Sequence, residues 1–206
     1  MNSNEQFYWN KKFSKEKYFG EGPTGFAKEC KSIMRSKNIQ DILDLGCGQG
    51  RDSIYFSKMG KSVTAFDNSK KALDSITNRN ITKIKGDIKS LEKIKNRKFD
   101  VIYSNLALHF FKEKDLQSIF NNLHTLLKNG GFLLITVKNK KDKYAGLGEK
   151  IEEHTYQYQG VIRHYYTRKE LQKLLKKFKI LEIKEGFHIM FNDKPTVYWK
   201  VIAIKK

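Results

Sequence analysis

The sequence predicts a single α/β domain built on a doubly wound, mostly parallel sheet, and three observations carry that prediction. Short apolar runs at 41–45, 62–66, 81–85 and 99–104 each end at an acid or a polar residue: Asp44, Asp67, Asp87 and Asn105. Between the runs lie stretches with apolar residues at helical spacing, as in Asp115 to Leu127, where Leu116, Ile119, Phe120, Leu123 and Leu126 share one face. The chain then closes on two consecutive strands, 179–183 running on towards Met190 and 196–204 after Pro195, which suit an antiparallel terminal hairpin. Strands alternating with helices imply crossovers and a parallel sheet, and such sheets bind ligands at the carboxyl ends of their strands.

The stretch Asp41-Ile-Leu-Asp44-Leu-Gly46-Cys47-Gly48-Gln49-Gly50 is the centre of this pattern. A buried strand feeds a turn with glycine at alternate positions, and Arg51 to Gly60 follows as a helix carrying Ile54, Tyr55, Phe56 and Met59. Alternate glycines let the backbone bend and let a ligand approach without meeting a β-carbon. The dinucleotide fingerprint requires Gly or Ala where this chain has Arg51, and no Gly-Lys-Ser/Thr follows to make a phosphate loop. Asp67 stands 21 residues beyond Gly46, at the end of the second strand. A carboxylate there can accept hydrogen bonds from both ribose hydroxyls. Asn68 and Ser69 are better placed than Asp67 to cap the next helix, around 70–76.

The run DLGCGQG resembles motif I of the class I S-adenosylmethionine-dependent methyltransferases, and later stretches resemble the same family in order: Asp67, then Gly86-Asp87-Ile88, then FDVIYSN, then LLKNGGFLLITV. The resemblance covers 41–138 and implies a Rossmann-like domain over 37–206, with 1–36 as an N-terminal arm and helix covering the site. It implies S-adenosyl-L-methionine as cofactor, held by Asp44, Gly46, Cys47, Gly48 and Gly50 of the loop, and by Asp67 and Asn68 at the ribose. Asp87 falls where the family bonds the adenine amino group, Ile88 where it packs the base, and Asn105 beside the sulfonium end. YW near the N-terminus and RHYYTRKEL point to the tellurite-resistance and thiopurine-type branch, whose acceptors are small, soft or anionic and need little help from a base. No Asn/Asp-Pro-Pro-aromatic signature of amino-group nucleic-acid methylating enzymes follows the fourth strand.

Two regions stay open at this level. The aromatic N-terminus (Phe7, Tyr8, Trp9, Phe13, Tyr18, Phe19) either packs on the core as a helical arm or, with Tyr8 and Trp9, closes over the cofactor; the two are compatible. The segment 138–166 interrupts the pattern after the fifth strand, at the binding edge, and is the expected substrate-recognition insert. Its Tyr156, Tyr158, Arg163, His164, Tyr165 and Tyr166 suit either an aromatic, cationic pocket wall or a β-hairpin packed on the domain. Tyr8, His109, Arg163, His164 and Tyr166 are the substrate-side candidates, although His109, among Leu106, Leu108, Phe110 and Phe111, reads first as a satisfied packing residue. No catalytic acid–base residue is assigned.

Composition narrows the rest. With 206 residues, 39% hydrophobic and 13% aromatic, the chain is long enough for a full core. Its formal charge of +19 comes mostly from lysine spread over almost every segment. That favours a solvated cationic surface over a nucleic-acid groove, where clustered arginine is expected. Cys30 and Cys47 are too few for a disulfide framework or a thiolate zinc site, and His154 and His164 lack a zinc spacing, so no metal is expected. The N-terminus lacks an apolar signal region and no run is long enough to cross a bilayer, which points to the cytosol. The leading function is a small-molecule methyltransferase. An RNA- or protein-directed methyltransferase using the basic surface, or a non-catalytic adenosyl-ligand-binding module, are the alternatives.

Overall fold

The computed structural model describes residues 3–14, 20–36, 38–188 and 196–206. The order of elements is α1 (Ser3–Lys12), α2 (Gly25–Glu29), α3 (Lys31–Met34), β1 (Asp41–Leu45), α4 (Arg51–Lys58), β2 (Ser62–Asp67), α5 (Lys70–Asp74), β3 (Ile81–Lys85) and β4 (Phe99–Asn105). There follow α6 (Glu113–Leu126), β5 (Leu127–Lys138), β6 (Glu149–Glu152), β7 (Thr155–Tyr158), β8 (Val161–His164), α7 (Arg168–Leu174), β9 (Phe178–His188) and β10 (Thr196–Lys205). Seven strands form one sheet in the order β3-β2-β1-β4-β5-β10-β9, and β6, β7 and β8 form a separate three-stranded antiparallel sheet. β1 to β5 run parallel, whereas β10 is antiparallel to both β5 and β9. The doubly wound sheet with its terminal hairpin is therefore present. The strand order reverses between β1 and β4, which opens a crevice at their carboxyl ends.

Each face of the sheet carries its own core. Phe26, Met34, Phe56, Leu73 and Tyr103 bury one face under α2 to α5. Leu116, Ile119, Phe120, Leu123 and Leu171 bury the other under α6 and α7. Each large apolar side chain taken out of water in this way contributes about 1.5–3 kcal/mol before the entropy of ordering is counted.

Several local expectations are corrected. The helix expected from Phe26 to Ser36 is two short helices joined at Cys30. The link between β3 and β4 holds a 3-10 turn, Glu92–Ile94, where a strand–helix repeat was expected. Asn129-Gly130-Gly131 reads in the sequence as a glycine cap ending the helix over 115–127, but β5 already begins at Leu127, and Gly130, at φ 75°, sits inside a ladder whose register shifts between Phe99 and Val101. A left-handed residue within a strand makes a bulge. Ser69 caps α5 by accepting from Ala72 N–H, as its place before the helix predicts, and Thr167, which the sequence reads as the cap of a helix over 167–178, forms a capping box with Glu170 on α7. Tyr18, Phe19, Met190 and Pro195 lie outside the described residues.

Candidate functional site

The glycine loop sits at the switch point, and its own backbone donors are already spent inside the chain. Gly46 N–H and Cys47 N–H both donate to the Phe66 carbonyl, at 2.8 and 3.2 Å, and Gly50 N–H donates to Cys47 O at 3.0 Å. Gly48 N–H donates to Asp67 Oδ2 at 2.9 Å. Gly46 has φ 73°, and a β-carbon there would overlap that of Ala107; Gly50 has φ 76° and would meet Ile76 at 2.6 Å. These glycines are required by the close approach of the loop to the β4 exit and to α5.

The N-terminus of α4 is likewise occupied. Asp44, 3% exposed, accepts from Ser53 Oγ at 2.5 Å and from the Ser53 N–H. Burial, then the nearby charge of Asp52, pushes its carboxyl up to about 8. A helix N-terminus is where a dinucleotide fold receives pyrophosphate. Here Asp44, expected among the cofactor-holding residues, takes the Ser53 N–H and hydroxyl of that first turn.

The strand ends bring the other expected residues together. Asp67 accepts from Gly48 N–H and from Ser69 N–H (2.8 Å), which ties the loop to the end of β2, and Asn68 N–H adds to this set. Burial raises the Asp67 carboxyl, with those three N–H groups pulling against it. Pairing of Asp67 with Lys85 puts Asp87 at the neighbouring strand end, where its Oδ1 accepts from Lys89 N–H at 2.9 Å. Ile88 is buried, with its Cδ1 3.7 Å from where a Gly46 β-carbon would stand. On the far side of the crevice Thr136 Oγ1 donates to Asn105 Oδ1 (2.6 Å) and accepts from Leu106 N–H (3.0 Å). Leu106 is held at φ 51°, a strained conformation for a non-glycine residue next to a site. Cys47 is half-buried and its thiol, raised by burial, lies against Gly48 O at 3.5 Å.

The arm lies over this edge. The Phe13 ring comes within 3.3 Å of where a Gly48 β-carbon would stand, and it stacks on Trp9 at 5.7 Å. Trp9 in turn meets Tyr8 at 5.2 Å and Phe110 at 4.8 Å edge-on, and its Nε1 is buried without a hydrogen-bond partner. Asn10 Oδ1 accepts from Ser69 Oγ at 2.8 Å, which fixes α1 to the cap of α5. Phe13 and Asn10 were not among the expected site residues. The signal was the four-residue spacing of Trp9 and Phe13, which puts both rings on one helical face.

A second group escaped sequence reasoning. Asp52, 5% exposed, accepts from Thr24 N–H (2.7 Å), Thr24 Oγ1 (2.9 Å) and Tyr103 Oη (2.8 Å). The network links the start of α2, α4 and the middle of β4, and Phe26 stacks on Tyr103 at 5.3 Å. Burial and Asp52 hold the Tyr103 phenol well above its usual range.

The insert forms β6 to β8, and both readings of it hold in part. Tyr156 and Tyr165 line a cavity of about 410 Å³ with Lys140, Lys150 and His154. Tyr166 and His164, both expected on the substrate side, turn inward. Tyr166 is fully buried and donates from Oη to Leu108 O at 2.8 Å; His164 is fully buried between Thr155 Oγ1 at Nδ1 (2.9 Å) and Glu170 at Nε2 (2.8 Å). Arg163 is half-buried, donates to Tyr158 O at 3.0 Å and lies over the Tyr144 ring at 5.8 Å. His109 is buried, as expected of a packing residue, but it is not satisfied: neither ring nitrogen has a partner. No group of three or more metal-ligating side chains comes together among the described residues, and no described helix is long and apolar enough to cross a membrane.

A seven-stranded 3-2-1-4-5-7-6 sheet with a glycine loop, three acids and an amide at its switch point defines the class I S-adenosylmethionine-dependent methyltransferase fold. Residues 42–131 match the family described as a methyltransferase domain, and in fold and in that domain the chain is similar to S-adenosylmethionine-dependent methyltransferases, TehB among them. It is 30% identical over 136 residues to the probable S-adenosyl-L-methionine-dependent methyltransferase TehB of Haemophilus influenzae, covering 62% of this chain and 47% of that protein. The crystal structure of TehB from Haemophilus influenzae superposes with a TM-score of 0.71 at 22% identity, over 98% of this chain and 67% of that one. A Burkholderia thailandensis 1,6-didemethyltoxoflavin-N1-methyltransferase, with bound 1,6-didemethyltoxoflavin and S-adenosylhomocysteine, superposes at 0.71 and 19% identity, over 98% and 87%. The chain spans about half the length, or less, of the curated relatives it matches.

Proposed function

We propose that this chain is an S-adenosylmethionine-dependent methyltransferase acting on a small-molecule acceptor. The observation that carries the reading is the pairing of a glycine loop whose N–H groups and helix terminus are satisfied internally with carboxylates at the next two strand ends. Such a site suits an adenosyl ligand without a pyrophosphate. Asp67 would hold the ribose hydroxyls, Asp87 the adenine amino group and Ile88 the face of the base, with Asn105 at the reacting end. The cofactor, when bound, supplies an already activated methyl group. The protein's part is to orient the acceptor and exclude water, and orientation of this kind supplies about 7–11 kcal/mol of a barrier. Trp9 and Phe13 serve the second task as a cover on the edge. The small-acceptor reading is supported by the heterocycle bound to the Burkholderia enzyme and by an insert cavity of about 410 Å³, within the size range of small-ligand sites.

The test is calorimetric titration of the full chain with S-adenosylmethionine and, separately, with NADH. Micromolar binding of the first and none of the second is expected. The Asp67→Ala variant is expected to lose more than about tenfold in affinity while keeping a cooperative melt. Unchanged affinity in that variant removes Asp67 from the site, and absence of S-adenosylmethionine binding to the parent chain overturns the reading.

A further inference from the structure

The edge of the sheet opposite the crevice gathers charge that the sequence keeps apart. Register places Phe99 beside Leu127 and Lys205 beside Phe178, and Lys205 Nζ reaches Leu127 O at 2.9 Å, so these ends of β4, β5, β10 and β9 lie together. The residues around them are basic in three separate segments. Arg97 and Lys98 precede β4, Lys176, Lys177 and Lys179 surround the start of β9, and Lys205 and Lys206 close the chain. Along the sequence they belong to a diffuse lysine excess. In the fold they share one edge.

His124, in the last turn of α6, stands among them with its ring edge-on to Phe178 at 5.1 Å. Lys98 Nζ donates to Thr125 O at 2.5 Å and Lys205 Nζ to Leu127 O, which pins both ammonium groups at the end of that helix. Burial, then Lys205, Lys177 and Lys98, lower the His124 pKa, so the field of all three cations meets at one ring. A helix C-terminus answers them with only about half a negative charge. The acids nearest in the chain hold other lysines: Asp41 and Asp100 bind Lys128 at 2.8 and 2.9 Å, and Glu92 binds Lys95 at 3.0 Å. Lys98, Lys177 and Lys205 have no carboxylate partner among the described residues. The excess that remains is one a bound anion offsets.

The shape of the excess selects the anion. Adjacent strands lie about 4.8 Å apart, so four strand ends carry this charge over about 15 Å. A line of pinned cations matches a chain of phosphates at fixed spacing. The rings within the row, Phe99 and Phe178, are 1% and 4% exposed and offer no wedge for a bilayer. We propose that this edge is a docking site for the phosphate backbone of a nucleic acid, with Lys98, Lys177 and Lys205 as its central contacts. β4 is 7 residues long, which separates the edge from Asn105 and the crevice by about 20 Å. A nucleic acid held here is therefore not the methyl acceptor. It keeps the chain on a polyanion while the crevice stays open, and contacts to backbone alone carry no base preference. Such docking is independent of the ligand held in the crevice.

The test is fluorescence-anisotropy titration of the full chain with a labelled oligouridylate of about 12 nucleotides, at about 50 and 200 mM KCl. Micromolar binding is expected at the lower salt, with a log–log salt slope of about −2, as for three phosphates on a single strand. Lys98→Gln/Lys177→Gln/Lys205→Gln is expected to weaken binding at least about tenfold and to flatten the slope. Because Lys98 and Lys205 also brace α6, a second variant leaves them in place: Lys177→Gln/Lys206→Gln is expected to lose about threefold to fivefold. Removing three charges at the other end of α6 and α7, in Lys112→Gln/Lys114→Gln/Lys169→Gln, is expected to cost no more than about twofold. By NMR the oligonucleotide is expected to raise the His124 pKa by about half a unit. Equal losses in the edge and control variants, a His124 pKa that the oligonucleotide does not move, or binding to phosphatidylserine vesicles with none to the oligonucleotide overturns the proposal. A failed S-adenosylmethionine titration overturns the cofactor reading and leaves the docking edge standing.

Discussion

The two sides of the crevice are built on opposite principles. On the loop side the buried acids are answered within the chain: Asp44 has Ser53, Asp52 has Thr24 and Tyr103, Asp67 has the N–H groups of Gly48 and Ser69. On the insert side His109 has no partner among the described residues, Lys143 lies over the Tyr144 ring and Arg163 donates to the Tyr158 carbonyl. A saturated network fixes geometry, because each broken bond exposes the desolvation cost of both partners. An unsaturated one stores that cost for a ligand to remove. The loop side is therefore a rigid reference, and the insert side is where binding energy is left to be gained.

Mutations on the loop side sharpen the contrast. The largest effect is expected from Gly46→Ala, which adds a β-carbon at φ 73° against Ala107. A loss of ~3 kcal/mol, read as a melting temperature lower by about 6–12 °C, is expected, with cofactor binding lost beside it. Next comes Asp52→Ala, which removes the acceptor of the part-buried Thr24 N–H and leaves the Tyr103 hydroxyl only Thr24 Oγ1, at 2.9 Å. A cost of ~2 kcal/mol is expected in urea unfolding, with faster proteolysis near residues 20–25 as the start of α2 loosens. A wild-type melt in either variant would show that the loop side is not rigid in the sense described.

The smallest effect at neutral pH is expected from Asp44→Asn, and its value lies in its pH dependence. The Asp44 carboxyl is raised by burial and by Asp52 to about 8, far above its unfolded value, so the folded state holds a proton that the unfolded chain releases. That contribution is fully present below the unfolded pKa of about 4 and is lost as pH rises through about 8. Parent stability should thus decline from pH 5 to pH 8 more steeply than that of the asparagine variant, and the two curves should run parallel above about pH 8.5, where the carboxyl is ionised in both folded and unfolded chains. Curves already parallel from pH 5 to pH 8 in chemical denaturation would return Asp44 to the ionised state and break the account of α4.

The division also explains what the sequence disclosed. The strand ends, the loop, Asp67 and the capping residues Ser69 and Thr167 were legible because each depends on local chemistry within a few residues. Asp52 was not. Its partners lie 28 and 51 residues away, and no periodicity connects Thr24, Asp52 and Tyr103. The 3-10 turn at Glu92–Ile94 was hidden by a short segment with no helical face to read, and the bulge at Gly130 by the resemblance of a glycine pair to a helix cap. His109 was read correctly as buried. Whether a buried imidazole is paired depends on what the insert brings opposite it, which no spacing encodes.

The insert leaves and rejoins the domain at one place, where Asn139 bridges Tyr166 next to the Lys138 carbonyl that accepts the Tyr166 N–H. For an engineer this is a socket. The ends of the segment from 140 to 165 are held together by the host, and doubling the length of a flexible loop between fixed ends costs only about 0.6 kcal/mol. Provided that a replacement keeps Tyr166 on Leu108, it changes this face of the molecule with little change to how the sheet folds. The segment in such a scaffold is then free to drift faster than the scaffold itself.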